Sequence, residues 1–502
     1  MNPGAETDPK VFPPPNPSVQ THPRGLYTLF FTEMWERFSF YGMRALLVLF
    51  MVDAVRNGGM GLTDEIATAI YGLYSAAVYL ACLPGGWLAD RLFGAQKSVW
   101  FGGIVIATGH FVLAIPRTDT FYLGLILVVL GTGLLKPNIS AIVGELYPEG
   151  GARRDAGFTI FYMGINLGAA IGPLICSTLG EKMNWHYGFA AAGVGMVLGL
   201  IQFRLSAKHL GEAGLRPGHE TALSKRGRVG LVCVLVTVVL VVGLSLAGVI
   251  RINPVALARS TGAFLVAVAI LYFAWVLLFF DLDRTEKQRV GVILILFIAA
   301  ALFWAGFEQA GSTFNLFAER YTARNLGLFD FIIPTGWFQS LGPVFIISLA
   351  PVMASLWVTL SRRDLNPSLP VKFGLGLILL SAGFVVMAGA AKLVAAGHKV
   401  WPTWLIATYL LHTVGELCLS PVGLSSVTKL APRRLVGQMM GIWFLGSSLG
   451  NLIAGLIAGQ FKADAVQEMP GQYLQIGILP LATGVVLILL AKPIKKWMVG
   501  VK

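Results

Sequence analysis

Residues 33–44, Glu-Met-Trp-Glu-Arg-Phe-Ser-Phe-Tyr-Gly-Met-Arg, set four charges inside an otherwise apolar segment long enough to cross a bilayer. At about 100° per residue, Glu33, Glu36, Arg37, Phe40 and Arg44 share one helical face of roughly 100°. A charge at mid-bilayer costs roughly 2.5–3.5 kcal/mol on insertion scales. Two acids and two bases on one stripe must therefore face each other, other protein or water. The chemistry open to them is the exchange of protons and of charged solutes in the polar interior of a transport protein.

Further charges fall deep in other apolar segments. Gly131-Thr-Gly-Leu-Leu-Lys136-Pro137-Asn138 joins a lysine to a helix-distorting proline. Phe161-Tyr162-Met-Gly-Ile-Asn166-Leu-Gly168 supplies a neutral amide, Trp304-Ala-Gly-Phe307-Glu308-Gln309 an acid beside two aromatics, and Gly415-Glu416-Leu-Cys-Leu-Ser420-Pro421-Val-Gly423 a second acid. Positive charge (Arg44, Lys136) thus belongs to the first part of the chain, and lone negative charge (Glu308, Glu416) to the last. The opposite charges can pair across a cavity, or present a positive and a negative wall to a zwitterion. Asn166, Tyr41, Tyr74 and Tyr79 could add hydrogen bonds, and Trp304, Phe307 and Trp443 apolar walls. Structural roles compete at several positions. Glu33 and Arg37 form an i, i+4 pair, Lys136 could cap a broken helix, and Trp304, Trp443, Tyr74, Tyr79 and Tyr162 suit packing as well as ligand contact. Ser420 could bond its own backbone. His110, His186 (read as a loop residue) and His412 are better read as structural than as a proton relay.

The elements that must position these groups are membrane helices. Of 502 residues, 56% are hydrophobic and 13% charged, against about 25% charged in soluble domains. Apolar runs predict about fourteen spans: 26–52, 66–90, 97–115, 120–144, 156–179, 186–205, 229–250, 260–280, 290–311, 332–360, 371–395, 402–429, 435–460 and 473–491. Charged connectors at 204–228 and 281–289 divide them six, two and six. The predicted organisation is a disordered tail (1–23), a six-helix bundle (24–205), linkers with two extra, lipid-facing helices (206–288), a second six-helix bundle (289–492) and a tail (493–502). Of the 38 Lys and Arg, 25 fall on the side of the termini, 10 on the other, and Arg37, Arg44 and Lys136 within the membrane. That excess places both termini in the cytoplasm and accounts for the net charge of +13 without nucleic acid. Cys82, Cys176, Cys233 and Cys418 lie within spans with no paired spacing, which predicts neither disulfide nor metal site. The Pro-rich start has no apolar core and does not read as a signal peptide.

Gly86-Trp-Leu-Ala-Asp90-Arg91-Leu-Phe-Gly94-Ala-Gln-Lys97, on the turn between the second and third spans, resembles the major facilitator superfamily loop in which an acid and a base brace helix ends as two halves rock. With no Gly-x-x-x-x-Gly-Lys-Ser/Thr loop, ATP drive is not expected. Carboxylates can carry the energy instead. Burial raises a carboxyl pKa and a nearby cation lowers it, so making and breaking Glu–Arg pairs links proton binding to conformation.

Three motifs together carry a more specific resemblance. Glu33, Glu36, Arg37, Phe38, Tyr41 and Gly42 match Glu-x-x-Glu-Arg-Phe-x-Tyr-Tyr-Gly. Phe161, Tyr162, Ile165, Asn166 and Gly168 match Phe-Tyr-x-x-Ile-Asn-x-Gly. Gly415, Glu416, Ser420, Pro421 and Gly423 match Gly-Glu-x-x-x-Ser-Pro-x-Gly. From about 26 to 490 the chain resembles the proton-dependent oligopeptide transporters, the peptide branch of the major facilitator superfamily. The resemblance implies that superfamily's all-α fold, with a substrate site between two six-helix bundles, and a symporter of di- and tripeptides in a bacterial cytoplasmic membrane. It implies a protein driven by the proton gradient without a cofactor, surrounded by lipid, and not an enzyme; a monomer is expected, though the sequence does not give the oligomeric state. By that likeness Arg44, Lys136 and Asn166 would engage the peptide's carboxyl end and backbone, and Glu416 its amino terminus. Glu33, Glu36 and Arg37 would couple protons, and Glu308 would pair with Arg44. Phe40, where the family has tyrosine, and Gly342, where it usually has asparagine before Pro343, depart from the pattern and bear on specificity. The alternatives are a proton-coupled carrier of nitrate, an amino acid or a peptide-like drug, and a peptide sensor or a channel that does not concentrate its ligand.

Overall fold

Apolar sequence without water must satisfy its backbone internally, and the chain does so with helices. The computed structural model describes residues 21–148, 151–217, 225–325, 327, 331–461 and 465–499; most of the expected amino-terminal tail lies outside them. The first six long helices are α1 (Arg24–Val52), α2 (Asp64–Leu88), α3 (Ala95–Leu113), α4 (Thr118–Glu145), α5 (Gly151–Lys182) and α6 (Trp185–Ser206). The next two are α7 (Lys225–Leu246) and α8 (Pro254–Phe279). There follow α9 (Arg284–Phe307), a short α10 (Thr313–Tyr321), α11 (Leu341–Arg362), α12 (Leu369–Ala395), α13 (Thr403–Leu430), α14 (Val436–Ala458), α15 (Met469–Leu489) and the seven-residue α16 (Ala491–Trp497).

Among the described residues eleven helices are long and apolar enough to cross a membrane, so the expected count of fourteen is not established. Three expected segments fall outside that set: α1, which carries the charge stripe, the 19-residue α3, and α7. Other differences have local causes. The segment expected at 290–311 breaks after Phe307 into a 3₁₀ turn, Glu308–Gly311, and resumes as α10. Its continuation, Thr-Phe-Asn-Leu-Phe-Ala-Glu-Arg-Tyr, is too polar to extend an apolar run. The segment expected to start at 332 opens as a 3₁₀ turn, Thr335–Ser340, after Pro334. His186, expected in a loop, lies in the first turn of α6, which Asn184 caps. Part of the span expected as a tail is helix α16.

Helices α1–α6 pack with one another around two apolar clusters, and α9–α15 around a third. The halves meet where α2 crosses α14, α5 crosses α11, and α1 meets α10. At the first crossing a Cβ on Gly455 would lie 2.5 Å from the Thr68 carbonyl oxygen and 2.7 Å from the Gly72 Cα. Glycine there lets the two backbones touch. The Ser448 hydroxyl donates to the Ala76 carbonyl across the same seam (3.0 Å). Helix α8 packs on α2 and α14 and exposes Phe264, Ile270, Leu271 and Leu278 outward.

Candidate functional site

Helix α1 supplies the charged face. Glu33, Glu36, Arg37, Phe40 and Arg44 are all buried. Arg37 grips Glu36 with two donors, Nη2 to Oε1 at 2.6 Å and Nε to Oε2, and its Nε lies 3.4 Å from Glu33 Oε1. Among the described residues, the second Glu33 oxygen, Oε2, has no hydrogen-bond partner. Arg37 also sits 4.8 Å over the Phe40 ring, which stacks on Tyr74 (6.1 Å) and meets Tyr41 edge-on (5.3 Å). Two acids sharing one guanidinium form a closed cluster with one carboxylate oxygen to spare.

Two turns beyond Arg37, Arg44 leaves its own half. Its Nη2 pairs with Glu308 and its Nε donates to the Tyr71 hydroxyl (2.6 Å). Glu308 can be reached because the helix breaks there, so the carboxylate stands in the 3₁₀ turn rather than on the wall of α9. Nearby, Gln309 Nε2 donates to the Ala305 and Ala454 carbonyls and its oxygen accepts from Thr313, which satisfies the broken turn.

On α13, Glu416 is buried, and among the described residues its Oε2 has no hydrogen-bond partner and no cation lies within 4.0 Å of it. The Ser420 hydroxyl one turn on is likewise unpartnered among the described residues, as is Thr413 one turn before. Thus Ser420 does not make the backbone bond that it could have made. Asn166 donates to the Tyr162 carbonyl (3.0 Å), leaving its side-chain oxygen available. Lys136 lies 4.5 Å over the Tyr79 ring and, among the described residues, within 4.0 Å of no carboxylate. Trp304 meets Phe307 edge-on at 5.5 Å, and Phe307 stacks on Phe303. Trp443 packs on Phe373 and over Gly423. Opposite, a side chain at Gly342 would reach only Thr413 Oγ1, 4.0 Å away, so the glycine borders open space. His412 bonds the Leu380 carbonyl among Phe307, Phe314 and Phe384, and among the described residues His110 has no hydrogen-bond partner.

Of the turn residues, Gly86 still lies within α2, against Pro137, while Asp90 and Arg91 fall in a π-helical turn, Ala89–Phe93, ended by Gly94 at φ 78°. The turn is clasped from outside, with Gln96 Nε2 donating to the Ala213 carbonyl (2.6 Å) and Gly214 N to Glu145 (2.7 Å).

Several groups escaped the sequence reading, one that holds Arg44 within its own half and four that join the halves. Tyr71 lies one turn before Tyr74 on the same face of α2 and holds Arg44. Arg320 on α10 grips Asp64 at 2.6 and 2.7 Å. Glu181 accepts from the backbone N–H groups of Thr335 (2.6 Å) and Gly336 (2.9 Å) and pairs with Arg324 at 3.5 Å. Asn315 donates to the Ala45 carbonyl (2.9 Å), and Trp337 to Thr178 (2.9 Å). The contacts of Arg320, Glu181, Asn315 and Trp337 run between the halves toward the end of the molecule opposite the termini.

Comparison with known proteins gives a consistent picture. Residues 96–475 match the family described as PTR2, the POT family. The chain is 46% identical over 489 residues to the peptide transporter YePEPT of Yersinia enterocolitica, covering 95% of both chains. It is 38% identical over 494 residues to a di-/tripeptide transporter of Lactococcus lactis subsp. cremoris, covering 96% of this chain and 97% of that one. A glutamate-to-glutamine mutant of the peptide transporter POT, crystallised with alafosfalin, superposes with a TM-score of 0.88 at 40% identity, covering 96% of this chain and 97% of that chain.

Proposed function

The chain belongs to the POT family, and from that premise we propose that it is a proton-coupled symporter importing di- and tripeptides by alternating access. It is a multi-pass membrane protein; in this reading it sits as a monomer in the cytoplasmic membrane with both termini inside and uses the proton gradient as its only drive. The observation that carries the proposal is the Arg44–Glu308 pair, one partner from each half. A proton on the Glu308 carboxylate removes the charge that binds it to Arg44. The guanidinium, still held by Tyr71, then has donors free for a peptide carboxylate, the kind of acceptor it grips best. Lys136 and Asn166 flank that end. Glu416, buried without a cation, suits the peptide's ammonium group. Because proton and peptide compete for the same interhalf contact, each changes the affinity for the other. Glu33, Glu36 and Arg37 form the second proton-handling group, with the unpartnered Glu33 oxygen as its acceptor, while Gly86, Asp90 and Arg91 brace the turn on which the first half rocks.

The test is uptake of labelled di-alanine into proteoliposomes under an inward proton gradient, competed by tripeptide, free amino acid and nitrate. Uphill accumulation blocked by tripeptide supports the proposal. Competition by nitrate without competition by tripeptide ends the peptide reading, and binding without accumulation ends the carrier reading.

A further inference from the structure

At the end of the molecule that carries the termini, Leu282, Arg284, Lys287, Gln288 and Trp497 line a cavity of about 410 Å³. The local sequence builds it. Asp283 and Glu286 form a capping box that starts α9, with Glu286 N donating to Asp283 (2.7 Å) and Asp283 N to Glu286 (3.2 Å). Arg284, Lys287, Gln288 and Gly291 then fall on one face by their i, i+3, i+4, i+7 spacing. Gly291 has no side chain, so the Trp497 ring seats against α9, 3.7 Å from where a Cβ would stand. Trp497 comes from α16, which buries Ala491 and Ile494 and exposes Lys492, Lys495 and Lys496. Met498, just past its end, is also buried, and Arg289 secures that end by donating to the Val499 carbonyl (2.5 Å).

Two of the three acids here are already engaged, Asp283 and Glu286 in the helix cap and Glu286 also with Arg434 at 3.7 Å, while the third, Asp281, is exposed and lends Arg434 its backbone carbonyl. Among the described residues, Arg284, Lys287, Lys492, Lys495 and Lys496 have no carboxylate within 4.0 Å. Below this basic mouth the surface turns apolar. Ile298 on α9, and Val485, Val486 and Leu489 on α15, are exposed. A cationic mouth with a tryptophan rim, opening onto an apolar flank at membrane depth, has the polarity of an amphiphile rather than of a soluble ion.

We propose that this cavity is a binding site for an anionic phospholipid of the leaflet on the side of the termini. Arg284 and Lys287 hold its phosphate, Trp497 covers the glycerol region, and the acyl chains lie along Ile298 and α15. The lipid would bridge α9, which runs into the Glu308 turn, to the carboxyl-terminal helix α16. The proposal is independent of the transported solute.

The full-length protein in neutral detergent is offered phosphatidylglycerol, phosphatidylcholine and inorganic phosphate, with retained adducts read by native mass spectrometry. Phosphatidylglycerol should be retained in preference to both others. Arg284→Gln with Lys287→Gln should weaken it by about fivefold per charge, the ratio given by ~1 kcal/mol for each basic residue at an anionic surface. Arg284→Lys with Lys287→Arg should keep it. Lys392→Gln with Lys399→Gln, the same charge loss at the opposite end, should leave it unchanged. Undiminished retention by the first pair, equal loss in the control pair, or phosphate retained as well as lipid overturns the proposal.

Discussion

The two faces of the central interface handle their charges in opposite ways. On the amino-terminal face the acids find their cation within α1, where Glu33 and Glu36 share Arg37 within one helical turn. On the carboxyl-terminal face the two acids have no cation of their own half. Glu308 borrows Arg44 from the other half, and Glu416 stands alone. A cluster closed within one helix keeps its contacts whichever way the halves tilt. A borrowed partner is lost when the halves part, and a lone carboxylate waits for an external cation. The difference divides contacts that stay within one half from contacts that can be exchanged for ligand.

The borrowed pair offers the strongest test. Removing one member of a buried ion pair leaves the other uncompensated, but Glu308→Gln keeps the shape and removes only the titrating charge. Uphill peptide accumulation should fall by about 5–150-fold, the span of a typical coupling, while peptide exchange without a gradient survives. Full accumulation by this variant would place coupling elsewhere, in the α1 cluster. Next in size is the lone acid. A hydrogen bond to a charged group contributes about 1.5–3 kcal/mol, so Glu416→Gln should raise the KM for di-alanine by roughly 10–100-fold and leave the weak binding of its N-acetylated form unchanged. Equal losses for both peptides would mean that Glu416 supports the fold of α13 rather than the ammonium group.

The sequence made the α1 face legible because all its parts lie within twelve residues and helical geometry assembles them. It made the lone glutamates legible because lipid tolerates none. The contacts between the halves at the far end were not legible. Asp64 and Arg320 are 256 positions apart, and Glu181 and Arg324 143. Each lies at or beyond a helix end, where a charge looks like an ordinary loop charge. Their pairing depends on the break after Phe307, which turns α10 toward α1 and leaves no mark in hydropathy. Tyr71 escaped for a different reason, since a tyrosine among Tyr74 and Tyr79 on α2 carries no sign of which one meets a cation.

That far-end group yields a smaller effect than either glutamate. The Arg320–Asp64 contact is bidentate but only partly buried, with side chains 25% and 17% exposed, and pairs of this kind contribute up to about 1 kcal/mol. Asp64→Asn should therefore shift the balance between closed and open far ends by no more than about fivefold, read as spin-label distances between the outer ends of α2 and α10. Adding Arg320→Gln should have little further effect, because the two side chains act as one contact. A tenfold or larger shift would make this pair, rather than Arg44–Glu308, the main latch.

Phe40 sits on the amino-terminal face, and the comparison predicts the smallest change there. Its ring is already occupied by Tyr74 on one side, Tyr41 at its edge and the Arg37 guanidinium 4.8 Å above. Such a cation–ring contact contributes about 0.5–2 kcal/mol, and tyrosine retains it. The hydroxyl added by Phe40→Tyr would enter a neighbourhood where Tyr74 Oη has no partner, so it can be satisfied without displacing Arg37 from Glu36. We expect the KM for a panel of dipeptides to move by no more than about threefold (below ~1 kcal/mol), with proton-driven accumulation intact. Reordering of the panel by tenfold would show that this ring touches the substrate. The amino-terminal face would then be a working surface as much as the opposite one, and the division between the two faces would fail at its centre.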